Sequence, residues 1–176
     1  MDKYEIYTDG GYSMQHKKGA YAFIILKNGK EWKRQGIPIF NETNNRCEIK
    51  AILNAVKSLP KKAKASIFSD SQYALGILGN SFWTAKANTD LVDEYKEYVE
   101  KNELDLEYYW VRGHNGNKWN EECDAICNKV AGVNLNSGFV KKVQEKQHID
   151  IRKLDDLELL KIYKGIKREL KKRELI

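Results

Sequence analysis

The sequence predicts an α/β fold in the order β-β-β-α-β-α-α-β-α, with a basic amphipathic helix appended at the C-terminus. Three stretches carry most of that prediction. Tyr4, Ile6 and Thr8 alternate with Glu5, Tyr7 and Asp9, the period of a strand with two distinct faces. Ala20 to Lys27 and Lys30 to Phe40 flank Asn28-Gly29, the pairing that suits a two-residue hairpin turn. Ile49, Ile52, Leu53 and Val56 then recur at i, i+3, i+4 and i+7, the stripe of an amphipathic helix.

Each element follows from its residues. The first strand brings Asp9 to its end, where Gly10-Gly11 is expected to stop the strand and to let a backbone or a ligand come close. With the hairpin, three antiparallel strands open the fold. Thr43-Asn44-Asn45 starts the first helix and Leu59-Pro60 stops it, with Glu48 beside the apolar stripe near the N-terminus, where the helix dipole favours an acid. Ala65 to Ser69 is a short strand ending in Asp70, and a helix follows from Ser71 to Leu78. Gly79 to Asn88 is a loop carrying Phe82 and Trp83. Asp90 to Asn102 has Leu91, Tyr95, Tyr98 and Val99 at helical spacing, and Leu104 to Val111 is a strand. The glycine-rich Arg112 to Asn117 holds His114, and Trp119 to Ala131 is a helix with Cys123, Cys127, Val130 and Ala131 inward and Asp124 at the margin.

Composition narrows the class. No apolar run approaches the roughly 18 residues of a membrane span, and the N-terminus lacks a signal-peptide pattern, so a soluble, cytoplasmic protein without a membrane partner is expected. The 3 cysteines, Cys47, Cys123 and Cys127, lack the spacing of a zinc site and read as small core residues. Charge is unevenly spread. Residues 1–132 carry 19 basic against 18 acidic side chains, and residues 133–176 carry 12 against 7, so the tail holds nearly all of the net charge of +6. The expected organisation is a domain over 1–132, a linker over 133–152 and a helix over 153–176. In that helix Leu159, Ile162, Tyr163, Ile166 and Leu170 form an apolar stripe opposite Lys161, Lys164, Arg168, Lys171 and Lys172.

The text around each acid resembles ribonuclease H of type 1, including the related domains of retroviral reverse transcriptases. Thr8-Asp9-Gly10-Gly11, Thr43-Asn44-Asn45-Arg46-Cys47-Glu48, Ser69-Asp70-Ser71-Gln72-Tyr73, Gly113-His114-Asn115-Gly116 and Asn120-Glu121-Glu122-Cys123-Asp124 occur in the family's order over roughly residues 4 to 131. The resemblance implies a mixed five-stranded sheet flanked by helices, three antiparallel strands then two parallel. It also implies an endoribonuclease that hydrolyses the RNA strand of RNA–DNA hybrids with two Mg²⁺ ions, Mn²⁺ substituting. Carried over by motif, Asp9 bridges the metals, Glu48 and Asp70 complete one side and Asp124 the other, and His114 is the mobile histidine that shuttles protons or assists product release. Hard cations suit such carboxylates, which without them would repel one another.

By the same resemblance Asn44, Asn45 and Gln72 read the wide minor groove where the 2′-hydroxyls lie, Thr43 meets a DNA phosphate, and Phe82 or Trp83 meets the deoxyribose side. Gly10 joins the substrate-binding set as a point of close approach. Two features depart from many cellular members. Tyr12 to His16 lacks their asparagine-proline-glycine text, and the basic extra helix before Asp90 is absent, as in the retroviral domains. The tail's Lys161, Lys164 and Arg168 are expected to supply the missing grip on phosphates, its apolar stripe docking on the domain, a second copy or another protein. A DNA-acting or exonucleolytic relative and a binding module without chemistry are the alternatives at this level. Exonuclease relatives carry an acid where this chain has Gly11.

Overall fold

The computed structural model describes residues 2–79 and 83–132 together with Arg168. By contacts the chain divides into Met1–Ala131 and Gly132–Ile176. In the second unit Arg168 is helical and exposed, while Lys161, Lys164 and most of the expected amphipathic helix lie outside the described residues, as does Phe82.

The first unit runs β1 (Lys3–Ser13), β2 (Lys18–Lys27), β3 (Lys30–Phe40), α1 (Asn44–Val56), β4 (Lys64–Ser69), α2 (Gln72–Gly79), α3 (Thr89–Lys101), β5 (Asp105–Trp110) and α4 (Lys118–Gly132). The 5-stranded sheet has the order β3-β2-β1-β4-β5, antiparallel across β3, β2 and β1 and parallel across β1, β4 and β5. Asn28 and Gly29 make the β2–β3 turn at φ 53° and 76°, the left-handed pair that matches strand twist in a two-residue hairpin.

One boundary differs from expectation. The glycine pair does not end β1, because β2 continues alongside it, with Gly10 opposite Tyr21 and Gly11 opposite Ala20. What Gly10 permits is a close approach. A Cβ there would lie 2.6 Å from both the Cys47 carbonyl carbon and the Glu48 nitrogen, so β1 and α1 touch backbone to backbone.

The two faces of the sheet are covered differently. Tyr4, Ile6, Phe23, Ile25 and Ile67 pack against Ile49, Ile52 and Val56 of α1 and against α2 and α3. On the opposite face α4 covers β1 to β3. Gly36 leaves the space that Ile126 fills, and Arg34 pairs with Glu122 at 2.8 Å. Beyond α4 that face carries a row of rings, Tyr7 stacked on Phe68 at 4.8 Å and Phe68 on Tyr109 at 5.1 Å. Register places these three side by side on β1, β4 and β5, with Glu5, Ser66 and Glu107 two residues below. β5 closes the sheet as an edge strand on which Asp105, Glu107, Tyr109 and Trp110 are exposed.

Candidate active site

The parallel strands set the location. β4 stops at Ser69, paired with Thr8, so Asp9 has no β4 residue beside it and Asp70 is the first residue past the strand. A crevice at the carboxyl ends of parallel strands is where α/β sheets hold ligands. Into it α1, pressed on Gly10, brings Glu48. One carboxylate oxygen from each of Asp9, Glu48 and Asp70 lies within 4.8 Å of the others.

Burial makes this cluster electrostatically costly. Glu48 is 8% exposed, and its Oε2 is buried without a hydrogen-bond partner among the described residues. Its carboxyl is pushed up to about 9, first by burial, then by the charges of Asp9 and Asp70, against a smaller lowering by the Gly10 amide. Asp9 is pushed up to about 6, first by burial, then by Asp70 and Asp124, with the Cys127 thiol and the Gly10 amide pulling it down. A buried carboxylate with two other carboxylates beside it is a donor set for a hard divalent cation.

Asp124 stands outside the tight group of three, near enough to Asp9 to raise its pKa. It is half-buried on α4 and accepts a hydrogen bond from Asn128 Nδ2 at 3.0 Å. His114 is exposed at φ 52°, and its loop is tied down by Gly116 N–H donating to Glu121 Oε1 at 2.8 Å. Gly113 has no room for a Cβ, which would fall 2.6 Å from Asp70 Oδ2. Gly113, the residue before His114, thus brings this loop against Asp70.

Of the residues expected to meet substrate, Thr43, Asn44, Asn45 and Gln72 lie at the N-terminal ends of α1 and α2. Thr43 caps α1, accepting from Arg46 N–H at 3.3 Å. Asn44 Oδ1 accepts from Tyr12 N–H at 3.1 Å, which ties the far end of β1 to the helix and leaves the Nδ2 group available. Asn45 and Gln72 are exposed. Gly10 is buried, its open side occupied by α1. Trp83 is 50% exposed and lies against Gly76.

Contacts that the sequence did not suggest surround the acids. Trp110 Nε1 donates to the Asp70 carbonyl at 3.1 Å, fixing the exit of β4. The cysteines are buried, as expected, but two also act as donors, Cys123 Sγ to the Tyr7 carbonyl at 3.3 Å and Cys127 Sγ to the Asp9 carbonyl at 3.4 Å. Asn120, 3% exposed, donates to the Thr8 carbonyl at 3.3 Å. The only signal for these was the i, i+3, i+7 spacing of residues 120, 123 and 127 on one helix face.

A mixed sheet of this order, with helices on both faces and acids gathered where β4 ends beside β1, defines a ribonuclease H-like hydrolase. The sequence model of the RNase H family matches residues 1–132, and the chain belongs to that family. Among curated proteins it is similar to "Ribonuclease H" of Campylobacter jejuni (strain 81-176), 32% identical over 140 residues, covering 74% of this chain and 92% of that protein. It is similar also to "Ribonuclease HI" of Helicobacter pylori, 32% identical with 72% and 91% covered, and to "Ribonuclease H" of Chromobacterium violaceum, 33% identical with 73% and 94% covered.

Proposed function

We propose that the protein hydrolyses the RNA strand of RNA–DNA hybrids internally, with Asp9, Glu48, Asp70 and Asp124 holding two divalent cations, Mg²⁺ in the cell and Mn²⁺ as a substitute. The observation that carries this reading is the buried Glu48 carboxylate, which has one oxygen within 4.8 Å of carboxylate oxygens of Asp9 and Asp70 and whose Oε2 has no hydrogen-bond partner among the described residues. A bound cation compensates that arrangement without protonating it. When bound, the metals supply an activated water and charge neutralisation at the phosphate and the leaving 3′ oxygen. Asp9 reaches toward both sides, since Asp70 and Asp124 each perturb it. His114, on its tethered loop beside Asp70, takes up or delivers a proton at the leaving oxygen and helps product depart.

Hybrid selection is assigned to donors and acceptors at the helix ends. Asn45, Gln72 and the Nδ2 group of Asn44 are available to the minor groove, where the 2′-hydroxyl separates RNA from DNA. Thr43 is assigned to a DNA phosphate and Trp83, with its exposed indole, to the deoxyribose side. No helix among the described residues is long and apolar enough to cross a membrane. We assign the reaction to the cytoplasm, where primers and transcription-derived hybrids arise.

Labelled RNA–DNA hybrid, RNA duplex and DNA duplex, incubated with Mg²⁺, test the reading directly. The hybrid alone should be cut, internally, and Asp70→Asn should bind it without cutting. Cleavage of DNA duplex at a comparable rate, or Asp70→Asn activity within tenfold of wild type, would refute it. In the same panel Asn45→Ala should lose about 1 to 3 kcal/mol of transition-state stabilisation on hybrid.

The basic tail is assigned to phosphates. A chain ending at Gly132 should keep the catalytic residues yet bind a long hybrid more weakly. Its log affinity should fall less steeply with log salt, by roughly one slope unit per phosphate contact removed. Unchanged affinity and slope would leave Lys161, Lys164 and Arg168 without a role in binding.

A further inference from the structure

Helix α4 rests on β1 through a seam of polar contacts in addition to its apolar packing. Asn120, Cys123 and Cys127 occupy one face of the helix at i, i+3 and i+7, and all three are buried. They donate to consecutive carbonyls of β1, Asn120 to Thr8 at 3.3 Å, Cys123 to Tyr7 at 3.3 Å and Cys127 to Asp9 at 3.4 Å. Apolar helix–sheet contacts tolerate small slides, because dispersion is non-directional. Hydrogen bonds to named carbonyls do not.

Asn120 is the strongest of the three donors, an amide where the others are thiols. It is also the most firmly held. Its own N–H donates to Asn117 Oδ1 at 3.2 Å, and Glu121 N–H donates to the Asn117 carbonyl at 3.0 Å, so the first turn of α4 is capped where the side chain grips the strand. Asp124 follows one turn later, at the helix margin.

We infer that Asn120 is a positioning residue: its hydrogen bond to the Thr8 carbonyl sets the register of α4 on β1 and thereby holds Asp124 at the working distance from Asp9. This rests on the metal reading given above, in which Asp9 and Asp124 share a cation. Groups that hold ligating carboxylates in place are worth about 10- to 100-fold in metal affinity.

A double-mutant cycle separates positioning from general packing. Mn²⁺ affinity is measured by calorimetry for wild type, Asn120→Leu, Asp124→Asn and the double variant. The half-saturating Mg²⁺ for cleavage is measured beside it in wild type and Asn120→Leu. Asn120→Leu should weaken Mn²⁺ about tenfold and raise the Mg²⁺ requirement, because the donor is lost while the branched outline of the side chain is kept. The double variant should bind no more weakly than Asp124→Asn alone, since Asn120 acts through that carboxylate. Wild-type affinity in Asn120→Leu, or losses that multiply in the double variant, would overturn the inference. If Asp124→Asn alone leaves Mn²⁺ affinity unchanged, the metal assignment of Asp124 fails and the inference falls with it. Should Asn120→Leu not fold, Asn120→Ser takes its place in the cycle, with the same outcomes deciding.

Discussion

Glu48→Gln is expected to abolish cleavage and, at the same time, to stabilise the metal-free protein at pH 8. The two signs have one cause. Burial, with Asp9 and Asp70 nearby, pushes the Glu48 carboxyl up to about 9, so the folded state holds its proton more tightly than the unfolded chain does. An acid raised on folding costs nothing below its unfolded pKa, and the penalty grows as pH climbs toward the folded value. Metal-free wild type should therefore lose stability between about pH 4.5 and 9, with Asp9 adding its share up to about 6. A glutamine carries no such penalty, and the variant should gain on the order of 2 kcal/mol at pH 8, roughly 5 °C in melting temperature. In Mg²⁺ the ranking should reverse, because only wild type gains the linkage energy of bound metal. Activity should drop by at least about 100-fold. Thermal melts across pH, with chelator and with Mg²⁺, decide it. A metal-free Glu48→Gln protein less stable than wild type at pH 8 would mean that the carboxylate has a favourable partner after all.

Gly10→Ala should damage both the fold and the active site. Its Cβ would sit 2.6 Å from two backbone atoms of α1, and backbone cannot swing aside as a side chain does. Either β1 or the helix must move, at about 3 kcal/mol. The same displacement carries Glu48 away from Asp9, and a shift near 1 Å in such a site costs on the order of 100-fold in rate. The neighbouring residue is an internal control. A Cβ on Gly11 meets nothing within 4 Å, so Gly11→Ala should melt and turn over close to wild type. Equal behaviour of the two alanine variants would show that α1 does not depend on that close approach.

The sequence displayed the fold well because its signals were periodic or local. The apolar stripe of α1, the Asn28-Gly29 turn and the alternation in β1 each state a backbone geometry within a few residues. The end of β1 was less legible. Whether Gly10-Gly11 stops a strand depends on whether a partner continues beside it, and β2 does so from residues Lys18 and Gly19 onward. The acids were found through the text surrounding them, whereas Asn120 and Trp110 were not assigned. Their contacts are to backbone carbonyls far away in sequence, at Thr8 and Asp70, and a carbonyl leaves no mark in the residue letters. Glu48 shows the same limit from another side. Its place beside the apolar stripe near a helix N-terminus suggested an acid favoured by the dipole, and only the packing of α1 on Gly10 reveals how deeply it is buried.

The outer strand of the sheet bears on how copies of this protein meet in a crowded solution. Among the described residues β5 lies at the edge of the sheet with nothing paired to its outer side, the kind of surface that recruits further strands. Asp105 and Glu107 stand exposed along it, and Glu107 has no ion-pair partner among the described residues. A second β5 laid antiparallel about a two-fold axis through Glu107 would set carboxylate against carboxylate, a cross-strand pairing that destabilises a sheet. In that register the edge therefore disfavours a second copy of itself, with the exposed rings of Tyr109 and Trp110 beside the repelling acids.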